Sequence, residues 1–308
     1  MSAPSPDQSA LSALDGASVW LNSEPLTAAG LREHVVLVDF WTYSCVNWLR
    51  TLPHVRAWHE RYRGRGLSVV GVHAPEFGFE HDLDNVRRAV RELDVRYPVV
   101  IDNDFAIWRS FQNHYWPAVY LLDGVGRVRF QHFGEQGYED TERTVQQLLA
   151  VDEALVDVDA EGFAKPADWS ALRSPETYLG YARGERRSDA RPDALALNRW
   201  TIAGEWSVDE EAAVLDAAGG SIAYRFESRD LNMVLAPPAS AAPVRFAVRL
   251  DGQPPGTAHG LDVEESGEGT LREPRMYQLV RQRMPIRQQT FEITFDGPGT
   301  RLYVFTFG

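Results

Sequence analysis

The residue of this chain best suited to chemistry is its single cysteine, Cys45. A strand-like apolar run ends at Phe40-Trp41, the turn Thr42-Tyr43-Ser44 follows, and a helix-like pattern begins at Cys45. A thiol at a helix N-terminus meets unpaired backbone N–H groups and the positive end of the helix dipole, both of which favour thiolate. Its pKa is expected there to fall by about one to several units. A thiolate can attack a disulfide and form a mixed disulfide, or be oxidised to a sulfenic acid that an outside thiol reduces. Trp48 stands three residues on, on nearly the same face of the helix.

The elements that position Cys45 can be read from periodicity. Val35-Val36-Leu37-Val38-Asp39-Phe40 is a continuous apolar run of strand length, as expected for a strand covered on both faces. A helix is expected from Cys45 to about Arg63, with Leu49, Leu52, Val55 and Trp58 on one face. Pro53 inside it removes a backbone donor and should kink it. Strands over 67–72, 98–101 and 118–122 alternate with helices over 83–93 and 105–111. A hairpin turn at Asp123-Gly124-Val125-Gly126 leads into a strand over 127–132, and a helix covers 141–149. The order is β-α-β-α-β-α-β-β-α: parallel strands with crossovers, then an antiparallel hairpin.

The composition of 151–195, rich in Ala, Asp, Glu, Pro and Arg, reads as a linker. From 196 onward the period becomes two: Val244, Phe246, Val248 and Leu250 alternate with Arg245, Ala247 and Arg249, and Phe291, Ile293 and Phe295 with Glu292 and Thr294. With turns at Gly219-Gly220, Asp251-Gly252 and Asp296-Gly297, this predicts an all-β sandwich or jelly roll. The expected fold class is therefore α/β over 18–150, a linker over 151–195 and a β-sandwich over 196–308.

Residues 40–53, from Phe40-Trp41 through Cys45-Val46-Asn47-Trp48 to Pro53, resemble the active-site segment of thioredoxin-like proteins of the TlpA/DipZ type. In that family an aromatic pair precedes a Cys-x-x-Cys and a helix with an internal proline. Tyr115-Trp116-Pro117-Ala118-Val119 resembles the family's cis-proline strand, and His73-Ala74-Pro75-Glu76-Phe77 and Asp102-Asn103-Asp104 resemble its linking segments. The aromatic tail ending Tyr303-Val304-Phe305-Thr306-Phe307-Gly308 resembles the carbohydrate-binding-module-like domain of DipZ proteins. The resemblance implies a thioredoxin-like fold, a cis Trp116-Pro117 bond beside Cys45, and a peptide-pairing edge there. Two departures stand out: Trp48 replaces the second cysteine, and the membrane region of DipZ is not in this sequence. The Thr42-x-x-Cys45 spacing is that of peroxiredoxins, but Val38 stands where they carry an upstream proline.

Cys45 is thus the candidate catalytic residue, with Trp41, Thr42, Trp48, Glu76, Trp116 and Pro117 around it; Glu76 is the candidate for proton transfer. His54, His59, His73 and His81 fall on different elements and give no compact ligand set, so neither metal nor cofactor is expected. Glu76, Glu80, Asp82 and Asp84 read as the solvated start of a helix. In the second domain Tyr277, His259, Asp262 and Trp206 are candidates for a sugar-binding face or for core aromatics.

A formal charge of −13 argues against a nucleic-acid partner or an anionic membrane surface. No segment approaches the roughly 20 apolar residues of a membrane span. Residues 1–16 have neither the basic nor the apolar region of a secretory signal, and one cysteine permits no internal disulfide, so a cytoplasmic location is the default expectation. Two functions fit. One is a monothiol oxidoreductase or weak thiol peroxidase, partnered by a protein or low-molecular-weight thiol or disulfide. The other is a catalytically inactive thioredoxin-fold binding module whose sandwich binds a glycan or protein.

Overall fold

A computed structural model of the chain describes residues 10–240 and 242–308. They divide into two compact units, the first ending at Ala164 and the second beginning at Lys165. In the first, the strands are β1 (Trp20–Leu21), β2 (Val35–Trp41), β3 (Leu67–His73), β4 (Val99–Ile101), β5 (Ala118–Leu122) and β6 (Val128–Phe133). The helices are α1 (Val46–Tyr62), α2 (Leu83–Glu92), α3 (Ala106–Ser110) and α4 (Tyr138–Leu149). The six strands make one sheet in the order β1-β4-β3-β2-β5-β6. β2 pairs in parallel with β3 and β3 with β4, whereas β5 runs antiparallel to β2 and β6 to β5. The element order is the one anticipated from the periodicity, and the arrangement is the thioredoxin-like fold that the resemblance implied. The edge strand β1, pairing Trp20 with Val100, is two residues long and too short to carry an alternation.

Central position explains β2. All seven of its residues are buried, so its apolar run faces helices on both sides. Val36, Val38 and Phe40 pack with Val70, Val72, Ile107 and Phe111 on one face. The other face carries Asp39 and Trp41. α1 runs without interruption through Pro53 to Tyr62, and a 3-10 turn over Arg63–Arg65 carries the chain on to Gly66, whose φ of +98° is a left-handed conformation open to glycine at little cost.

The segment 151–164 lies in the first unit and 165–195 in the second. Glu142 of α4 ties the former down: its carboxylate accepts from Trp58 Nε1 (3.2 Å), Tyr62 Oη (2.6 Å) and the backbone N–H of Val156 (2.9 Å). The second unit is a β-sandwich. Its strands are β7 (Thr177–Tyr178), β8 (Trp200–Ala203), β9 (Trp206–Val208), β10 (Ala213–Leu215), β11 (Ser221–Phe226), β12 (Asp230–Ala236), β13 (Val244–Leu250), β14 (Glu268–Leu271), β15 (Arg275–Arg281), β16 (Gln289–Phe295) and β17 (Arg301–Phe307). One sheet runs β15-β12-β17-β10-β9, with β7 also on β17; the other runs β14-β13-β16-β11-β8. The inward residues of both, including Tyr224, Phe246, Phe291 and Phe305, form one core, while Arg245 and Arg249 of β13 face solvent.

Glu142 is 2% exposed, and its loss would leave buried donors unpaired at a cost of about 1–3 kcal/mol each. Glu142→Ala should lower the unfolding midpoint of the first unit and make 151–164 the earliest site of limited proteolysis. Unchanged melting and cleavage would show that this carboxylate does not anchor the segment.

Candidate thiol site

Cys45 is the N-cap of α1, with an extended backbone (φ −76°, ψ 113°) and no side-chain hydrogen bond to the helix's first turn. Its N–H donates to the Thr42 carbonyl (3.3 Å), and Leu49 N–H donates back to the Cys45 carbonyl (3.0 Å), so the turn passes directly into the helix. The sulfur is half-buried. It lies 3.7 Å from the Trp116 carbonyl oxygen, and the Trp116-Pro117 bond is cis. Residues 71 positions apart thus meet. Trp116 is half-buried, donates its indole N–H to the Ala74 carbonyl (3.0 Å) and leans on Trp108 (centroids 4.3 Å apart). Tyr115, 56% exposed, and Phe133, 40% exposed, form an aromatic pair beside it (5.2 Å).

Trp48 turns inward. It is fully buried, stacks on Trp41 (4.3 Å, 21° between planes) and donates its indole N–H to Asp39 Oδ2 (3.0 Å). Tyr97 Oη donates to the same oxygen (3.2 Å). Trp41 is therefore a core residue on the α1 side of the sheet and does not share a surface with Trp116. Burial pushes the Asp39 carboxyl up to about 6, against the lowering effect of the Trp48 and Tyr97 donors. Periodicity did not single out Asp39, although a carboxylate inside a seven-residue apolar strand was a readable signal.

The acidic cluster divides. Asp82 caps α2, accepting from the N–H groups of Asp84 and Asn85 (2.8 and 3.4 Å). Glu76 is half-buried, whereas Glu80 is fully buried and faces the residue next to Cys45. Ser44 Oγ donates to Glu80 Oε1 (2.6 Å), and the N–H groups of Glu76 and Phe77 donate to Oε2 (2.6 and 3.0 Å). Burial and, after it, the neighbouring Glu76 charge push the Glu80 carboxyl up to about 7. Glu80 thus contacts the Cys45 turn through Ser44. Thr42 is buried and meets Cys45 through its carbonyl.

The histidines stay apart. His54 stacks on Tyr138 (3.7 Å), and His73 lies between Trp41 (4.9 Å) and Tyr43 (5.9 Å), held down to about 3 by burial. Among the described residues no group of three or more His, Cys, Asp or Glu side chains is placed to hold a metal. A cleft of about 490 Å³ runs along Pro53, Arg56, His59 and Asp94 of the first unit, but Cys45 is not in its lining. In the second unit Tyr277 is buried under Arg275 (3.8 Å), whose guanidinium pairs with Asp262 (2.7 Å). Trp206 lies on β9, the edge of that sheet opposite Tyr277 on β15. These aromatics do not converge on a common face.

A family described as "Thioredoxin like C-terminal domain" matches residues 174–308. The chain is 36% identical over 258 residues to the protein DipZ of Mycobacterium bovis and of Mycobacterium tuberculosis, a match covering 78% of this chain and 36% of each DipZ. It thus spans about a third of the length of those relatives. It is 31% identical over 137 residues to the thiol-disulfide oxidoreductase YkuV of Bacillus subtilis, covering 44% of this chain and 92% of YkuV. A solved thioredoxin-like protein in its oxidised form shares 31% identity, covering 45% of this chain and 92% of that one, with a TM-score of 0.40. No helix among the described residues is long and apolar enough to cross a membrane.

The raised Asp39 carboxyl makes the folded state bind more protons than the unfolded chain between pH 3.8 and about 6. Its contribution to stability is therefore full below the unfolded value and is lost as pH rises through about 6. Buried His54 and His73, lowered to about 4 and about 3, act in the opposite sense over much of the same window. The difference between wild type and Asp39→Asn isolates the carboxyl. The stability of wild type relative to the variant should fall by about 1–3 kcal/mol between pH 4 and pH 8 in urea titrations. A pH-independent difference would contradict this environment for Asp39.

Proposed function

The chain belongs to the thioredoxin-like family of thiol-disulfide oxidoreductases, and we propose that within it this protein works through one thiol, Cys45. The observation that carries the reading is Trp48. It occupies the position of a resolving thiol, and its indole N–H is committed to Asp39 (3.0 Å). Indole cannot attack a disulfide.

In the proposed reaction the Cys45 thiolate attacks one sulfur of a partner disulfide. A new S–S bond joins Cys45 to that sulfur, the original S–S bond breaks, and the second sulfur leaves as a thiolate that takes a proton. The thiolate of an external thiol, on a protein or a small molecule, then attacks the partner's sulfur in the mixed disulfide; a new S–S bond joins those two sulfurs, the bond to Cys45 breaks, and Cys45 leaves as thiolate. The helix N-terminus favours the attacking thiolate. Glu80, held near neutrality and bonded to Ser44, is a proton acceptor one residue from the thiol's own position. The exposed Tyr115 and Phe133 beside the Trp116 carbonyl provide the surface against which a partner segment would lie.

Wild-type protein treated with glutathione disulfide should gain one adduct, on Cys45, that persists until dithiothreitol is added, and it should not accelerate insulin reduction. Trp48→Cys should acquire a reversible internal disulfide while losing about 2–4 kcal/mol of stability with the indole's packing and its bond to Asp39. Efficient insulin turnover by the wild type would overturn the monothiol reading. A folded chain that takes no adduct would leave the non-catalytic binding module.

A further inference from the structure

The second unit contains a cleft of about 460 Å³ lined by Lys165, Arg229, Arg281, Arg283 and His259, with no carboxylate among its lining residues. In a chain of formal charge −13, four lysine and arginine cations around one space depart from the general character of the surface. Lys165 is also the chain's only lysine.

Two of the cations are built in. Asp230, fully buried, accepts from Arg229 Nη2 (2.6 Å) at one oxygen and from Arg281 Nε (2.7 Å) at the other. Arg229 Nη2 also donates to the Pro166 carbonyl (2.8 Å). The cleft wall is fixed by Gln282, whose side chain bridges the carbonyls of Ser228 (2.8 Å) and Arg287 (3.0 Å). Guanidiniums immobilised before a ligand arrives lose little further freedom on binding it. Lys165 and Arg283, by contrast, are exposed and have no ion-pair partner among the described residues. The arrangement is a fixed cationic base beside two exposed cations that can reach an anion through charge-assisted hydrogen bonds.

We propose that this cleft binds a small molecule carrying a tetrahedral oxyanion ester, a phosphate or sulfate on a compact polar body. The volume lies in the range of small-ligand pockets, about 300–1,000 Å³, and leaves room beyond the oxyanion itself. Met284, 78% exposed at the rim, offers an apolar contact to that body. The net charge of −13 disfavours a long polyanion, which would meet repulsion wherever it extended past the cleft.

The single lysine provides the test. Reductive dimethylation with labelled formaldehyde keeps the charge of Lys165 and gives one ε-amine signal in NMR of the full chain. Titrated at constant ionic strength, glucose 6-phosphate or glucose 6-sulfate should shift that signal saturably, and glucose should not. The stronger of the two esters identifies the oxyanion. Arg283→Glu should weaken the binding by about tenfold or more, while Arg245→Glu, at a side chain 79% exposed on β13, should leave it within about twofold. No saturable shift with either ester, an equal response to glucose, or an unchanged affinity in Arg283→Glu would each overturn the proposal.

Discussion

Asp39 lies in the middle of the central strand, fully buried, and its carboxyl has to be satisfied from within the protein. Trp48 and Tyr97 supply the donors, both to Oδ2, while Oδ1 has no hydrogen-bond partner among the described residues. Trp48 belongs to the first turn of α1, so its bond to Asp39 Oδ2 fixes the rotation of that helix and, with it, the position of Cys45 at its start. The same contact packs the indole on Trp41 and commits the third position after the cysteine to structure. β3 must accommodate this cluster. Opposite Asp39 it carries Gly71, where a Cβ would come within 2.9 Å of the Tyr97 ring and 3.0 Å of Trp41 Nε1.

How much of this was legible depends on whether the signal was local. The strand-turn-helix around Cys45 is one continuous segment, and its apolar run and helical spacing give the right elements to within a few residues. The Tyr-Trp-Pro segment was recognisable by resemblance, and in the structure its carbonyl meets the sulfur. The burial of Glu80 was not legible because four acidic residues in nine positions look alike in a linear reading. The short helical turn over Gly78–His81 buries one of them and leaves another half in solvent. Composition made 151–164 resemble a linker because its anchor, Glu142, lies in the preceding helix and accepts a backbone N–H, a donor that every residue except proline carries.

In the second unit the period-two pattern identified the sandwich, since alternation along β13 maps directly onto its buried and exposed faces. The aromatics proved to be mainly core, as their number in a two-sheet structure requires. The basic cleft was not readable: Lys165, Arg229, Arg281 and Arg283 are separated by up to 118 positions and come together only when the sheets form. The two units thus present different chemistry, a sulfur at a helix start in one and a group of fixed cations in the other.

In the proposed function Cys45 is a working nucleophile although the place of its resolving partner holds a structural tryptophan. The most direct measurement is the rate of Cys45 alkylation by iodoacetamide as a function of pH, in the native chain and in the chain unfolded by urea. The native thiol should react at pH 7 at least as fast as the unfolded one, with its rate rising at lower pH because the helix N-terminus favours thiolate. A sulfur that stays unmodified at pH 7 until the chain unfolds would contradict it.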